Sequence, residues 1–131
     1  MQEALRAKLL ANAALAARVR EIVWDERNQN GPLPALVLTL ISPGREYTHD
    51  GWDGLNDSRV QADVWAKTPA EALAVFRALV PAIEPETTVG GWILGPAFLE
   101  DDGGGSSEDL GGGAKIFRRR SDWMIMNRPV A

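Results

Sequence analysis

Residues 99–126 read LEDDGGGSSEDLGGGAKIFRRRSDWMIM: acids, glycines, more acids, more glycines, then a basic run that turns apolar. A phosphate cradle here would need a P-loop lysine and a following helix to offer its N-terminal amides. Neither is present, and Glu100, Asp101, Asp102, Glu108 and Asp109 would repel phosphate. The mixture of acids and glycines also lacks the ligand spacing of an EF-hand calcium loop. What remains is a connection between two strands. TVGGWILGPAFLED (88–101) reads as one strand, bent at Gly95-Pro96. AKIFRRRSDWMIMN (114–127) reads as its partner, with Phe117, Trp123 and Ile125 on one face and Arg118, Arg120 and Asp122 on the other. The glycine segment, at about 101–113, is then expected to be a mobile hairpin loop of about 11 to 14 residues.

Upstream of that hairpin the pattern alternates between helix and strand signals. QEALRAKLLANAALAARV (2–19) is rich in alanine and leucine and places Leu5, Leu9, Ala13 and Ala16 on one helical face. EIVWDER (21–27) reads as a short edge strand, and NQNGPLP (28–34) as a loop. ALVLTLIS (35–42) is apolar on both faces, which predicts a strand covered on both sides by helices or by another subunit. PGREYTHDGWDGLND (43–57) reads as a polar loop punctuated by glycine. In SRVQADVWA (58–66), Val60, Ala62 and Val64 alternate with Arg59, Gln61, Asp63 and Trp65, the period of a half-buried strand. TPAEALAVFRALVPAI (68–83) has a helix N-cap at Thr68, proline at the first helical position and Glu71 three residues after the cap. Ala72, Val75, Phe76, Leu79 and Ile83 form its apolar stripe, and Pro81 is expected to stop or kink its end. The expected fold is α+β: a mainly antiparallel sheet of about four to five strands with two helices packed on it, in a single domain spanning 1–131.

Composition narrows the function. A net charge of −4 argues against a general nucleic-acid binder, which needs surplus lysine and arginine to displace counterions. Without cysteine the chain has no disulfide and no thiolate metal site. Arg6, Lys8, Arg18 and Arg20 interrupt any apolar signal segment, and no run approaches the roughly 18 apolar residues of a membrane span. An unprocessed cytosolic protein without a membrane role is expected, so the glycosylation sequon at Asn56 carries no weight. Asp50, Asp53 and Asp57 gather around His49, the one histidine, so no multi-histidine metal site forms, and aspartates among glycines act foremost as turn formers. The serines lack a nucleophile-elbow pattern. No catalytic residue and no cofactor are expected.

The element order, and above all the junction VQADVWAKTPAEAL (60–73) running into the helix AVFRAL (74–79), resembles the tail-completion proteins of long-tailed bacteriophages, the tail-terminator or tail-to-head joining family. The shared pattern is apolar-Gln-x-Asp-apolar-aromatic-x-x-Thr-x-x-Glu-Ala. The resemblance implies a structural virion protein of a phage or a phage-derived gene transfer particle. It implies a ring, commonly of six subunits, at the head-proximal end of the tail tube, where it stops tube growth and docks the head connector. DNA would pass through the lumen without specific binding. The alternatives are another ring-forming neck protein, such as a connector stopper, or a small α/β enzyme or ligand-binding domain.

On this reading the chain works by contact. Trp52 in its loop and Trp65 on the polar side of its strand are interface candidates, because tryptophan is enriched at binding hot spots. Glu100, Asp101, Asp102, Glu108, Asp109, Arg118, Arg119 and Arg120 offer charge of both signs. They either pair within one hairpin or join the basic edge of one subunit to the acidic edge of the next. Apolar groups such as Trp52, Trp65 and Met124 would then supply most of the affinity, since exposed ion pairs contribute only about 0–1 kcal/mol each.

Overall fold

The computed structural model describes residues 1–27, 31–111 and 113–130. Its strongest local signal is at Thr68, whose hydroxyl accepts from the Glu71 N–H at 3.1 Å and opens helix α3, Pro69–Ile83. Pro81 does not stop this helix, which runs on to Ile83. The expected N-terminal helix divides in two. Asn12 leaves the helical conformation and accepts from the Leu15 N–H at 3.0 Å, so α1 (Gln2–Ala11) ends and α2 (Ala13–Ala16) begins. An asparagine side chain satisfies an orphan N–H at a helix start better than it serves a helix interior. The break rotates the buried face: Leu5, Leu9 and Leu15 are buried, whereas Ala13 and Ala16 are exposed.

The strands are β1 (Glu21–Trp24), β2 (Ala35–Ser42), β3 (Arg45–Thr48), β4 (Gly51–Ala66), β5 (Thr87–Val89), β6 (Trp92–Gly111) and β7 (Ala114–Pro129). They form one seven-stranded sheet in the order β1-β2-β4-β7-β6-β5, with β3 paired to the outer part of β4. β1 runs parallel to β2, and the other pairs are antiparallel. The expectation of four to five strands and two helices is therefore overturned by the seven strands and three helices of the described residues.

Three segments account for the difference. The polar stretch 43–57 is not a loop but a hairpin, in which Arg45 pairs with Asn56 and Tyr47 with Trp52. The stretch 88–101 is two strands, folded back at Gly90-Gly91 so that Thr88 faces Ile93. The glycine segment itself is extended: β6 continues to Gly111, pairing Gly105 with Arg119, Ser107 with Phe117 and Glu108 with Ile116. The expected hairpin loop at 101–113 is thus a β-ribbon almost to its tip. Its glycines carry no side chain and so show no period, yet they make room. A Cβ on Gly103 would stand 2.8 Å from the Arg120 Nε. The bend expected at Gly95-Pro96 is a register shift between Leu94 and Ala97. There Gly95 has φ +99°, and a Cβ would lie 2.8 Å from the Pro85 carbonyl oxygen.

All three helices contribute to one core. Leu5, Leu9, Leu15, Val75, Leu79 and Ile83 pack with Leu36, Leu38, Val60, Ala62, Val64, Trp123 and Ile125. These strand residues alternate along β2, β4 and β7, so the core uses one face of the sheet. The clasp between α1 and α3 is polar. Lys8 is buried, and its Nζ donates to the carbonyl oxygens of Ile83, at 3.0 Å, and Pro85 at the end of α3. Burial pushes its pKa down from the usual lysine range.

Candidate interaction surface

The residues between the core positions face away from the helices. On β4 these are Arg59, Gln61, Asp63 and Trp65, and on β7 Arg118, Arg120, Asp122 and Met124. The arginine run alternates accordingly. Arg118 Nε pairs with Asp63 Oδ1 at 2.9 Å on this open face, and Arg120 lies 3.5 Å from Asp101. Arg119 points to the helix side, where it pairs with Asp102 at 2.8 Å and its guanidinium lies 4.7 Å from the Phe76 ring centre. Glu100 pairs with Arg59 at 2.9 Å.

Most of the charges expected to join neighbouring subunits are thus matched inside one chain. Arg118, Arg119 and Arg120 each pair with a carboxylate, and Glu100, Asp101 and Asp102 each pair with an arginine. Glu108 and Asp109 are exposed near the end of the ribbon. Trp65 is half-buried under the guanidinium groups of Arg118, at 5.4 Å, and Arg27, at 5.8 Å. Trp52 lies not in a loop but on β4. Its Nε1 donates to the Leu55 carbonyl at 3.1 Å, and the Arg45 guanidinium lies 4.2 Å from its ring centre. Met124 pairs in register with Phe98, which is 53% exposed. Phe98, Leu99 and Ile41 were not singled out in the sequence. Each sits in an apolar strand that reads as core, yet each is exposed, Phe98 because it lies beside Met124 on the open face.

Around His49, Asp53 serves a turn with its carboxylate and Asp50 with its backbone, whereas Asp57 lies in β4. Asp53 Oδ1 accepts from the Leu55 N–H at 2.9 Å, and the Asp50 N–H donates to the Thr48 hydroxyl at 3.3 Å. Asn56 of the sequon is buried, with its side-chain amide donating to Asn127 Oδ1 at 3.1 Å.

The sheet is shielded by helices on one face and carries fixed ion pairs on the other, which leaves the second face as the candidate interaction surface. The chain belongs to the tail completion protein gp17 family, whose model matches residues 3–102. The chain is accordingly a phage tail structural protein, as the resemblance at 60–73 implied. Its fold is similar to that of a chain in the virion of a native gene transfer agent particle, with a TM-score of 0.58 at 21% identity, covering 98% of this chain and 93% of that one. It is also similar to the bacteriophage SPP1 gp17 protein, with a TM-score of 0.50 at 17% identity, covering 94% of this chain and 86% of that one. No curated protein matches the sequence.

Proposed function

We propose that the protein caps the head-proximal end of a phage-like tail tube as an oligomeric ring, ends tube polymerisation and joins the tail to the head connector. The observation that carries this reading is the family match over residues 3–102. The surface is consistent with it. A ring around DNA should not grip the DNA, and a subunit of net charge −4 raises the cost of sticking. A closed ring joins two different patches of one subunit, and the two ends of this sheet are different patches.

The test is deletion of the gene from a producing strain, followed by electron microscopy of the particles. Tails of uncontrolled length, unattached to heads and restored by the gene in trans, are the expected result. Tails of normal length that fail to join heads would indicate a connector stopper instead. Normal, joined particles would overturn both.

A further inference from the structure

The pairing of the β7 arginines within the chain moves the search for intersubunit charge elsewhere. At the β1 end of the sheet, Arg18, Arg20 and Lys67 surround a depression floored by Leu33 and Pro34, with Glu71 as its one acid. All three cations are exposed, and none has an ion pair among the described residues. At the other end, the β6–β7 ribbon continues past Phe117, the last β7 residue paired with β4. Glu108 and Asp109 are exposed on that overhang.

The two features stand at the same level of the sheet. Glu21, Ala35, Trp65, Arg118 and Ser106 form one rung across β1, β2, β4, β7 and β6. One step further out lie Arg20, whose N–H donates to the Pro34 carbonyl at 2.8 Å, and the Ala66–Phe117–Ser107 rung. Lys67 follows Ala66, and Glu108 pairs with Ile116 just beyond Phe117. Copies set edge to edge in one orientation therefore bring the acidic ribbon end of one to the basic depression of the next. Both edges also end without a further strand among the described residues, although the β1 carbonyl of Ile22 accepts from Arg6 Nε at 2.7 Å. Among the described residues, β5 pairs only with Trp92–Leu94, so β6 from Phe98 onward has no strand on its outer side, and β1 has a strand on one side only. Unpaired edges favour the addition of another strand.

We infer that the Ser106–Asp109 end of the β6–β7 ribbon seats in the Arg18/Arg20/Lys67 depression of a second copy of this chain, forming the head-to-tail contact of the ring. This inference rests on the ring reading above. Opposite charges at the contact set orientation and partner choice, while the apolar and backbone groups around them add affinity.

The chain has no cysteine, so an introduced pair reports only on itself. Self-association of the full chain is measured by sedimentation velocity, with thermal melting as a check of folding. Changing Glu108→Lys with Asp109→Lys, or Arg18→Glu with Arg20→Glu, should each weaken assembly by about tenfold or more at low salt. An equimolar mixture of the two variants should form a mixed contact, and the chain carrying all four changes should recover most of the assembly. Ser107→Cys combined with Arg18→Cys should give disulfide-linked oligomers under mild oxidation. Assembly of wild type that is indifferent to both reversals, or reversals that the four-fold variant fails to rescue, would overturn this contact and leave the ring intact. Wild type that stays monomeric at every concentration, alone and on tail tubes, would overturn the contact together with the ring.

Discussion

The two faces of the sheet are made by the same strands, residue by residue in alternation, yet they do different work. Under the helices, Val60, Ala62, Val64, Trp123 and Ile125 are fully buried among apolar neighbours. On the open face, their immediate neighbours Arg59, Asp63, Arg118 and Arg120 are each held in an ion pair, Asp63 with Arg118 and the other two with acids of β6, with half-buried Trp65 and Met124 between them. The first face gains its stability from area removed from water, about 25 cal/mol per Å². The second gains little from its charges, because partly exposed pairs are screened and cost side-chain entropy. One face thus holds the fold, and the other can be spent on contact.

The largest effect should fall on the covered face. Trp123 is fully buried, with its Nε1 donating to Ser121 Oγ at 2.9 Å. Trp123→Ala should lower unfolding stability by about 3–5 kcal/mol, measured by urea denaturation. A loss as small as that of an open-face substitution would remove the distinction between the faces.

Next comes the polar clasp. Lys8→Met should cost about 1–3 kcal/mol, because the carbonyls of Ile83 and Pro85 lose their donor. It should also change the response to alkali. The folded-state pKa of Lys8 lies below 10.5, so between that value and 10.5 the unfolded chain binds more protons than the folded one. The Lys8 contribution to stability therefore rises with pH through this window and is lost as pH falls through the folded pKa. Lys8→Met should flatten that rise. An unchanged alkaline slope would show that burial does not penalise the Lys8 charge.

A smaller effect is expected on the open face. A double-mutant cycle of Asp63→Asn and Arg118→Gln should give a coupling of about 1–2 kcal/mol, since Asp63 is buried while the Arg118 side chain is 33% exposed. A coupling of several kcal/mol would make this face part of the fold's support. The smallest effect on stability should come from Phe98→Ser, within about 0.5 kcal/mol, with a measurable loss of self-association by sedimentation. Equal self-association with and without the ring of Phe98 would remove it from the contact surface.

Elements whose signal is local are legible in the residues alone. Thr68, Pro69 and Glu71 mark α3 because an N-cap acts within one turn. The alternation of Val60, Ala62 and Val64 with Arg59, Gln61 and Asp63 marks β4 because side chains on a strand change face at every residue. The same period separated Arg119 from Arg118 and Arg120, and the junction at 60–73 carried the family. Two things were decided only in three dimensions. The Gly-Ser segment became strand because β7 offers it a ladder of backbone partners and because glycine leaves room for Arg120, neither of which has a signature in side-chain periodicity. The partners of the arginines were likewise settled by register. Asp63 is 55 residues from Arg118, and Asp102 is 17 from Arg119, yet antiparallel pairing sets each within reach. That left Arg18, Arg20, Lys67 and Glu108 as the charges at opposite ends of the sheet without an ion pair among the described residues, because no strand register brings the two edges of an open sheet together.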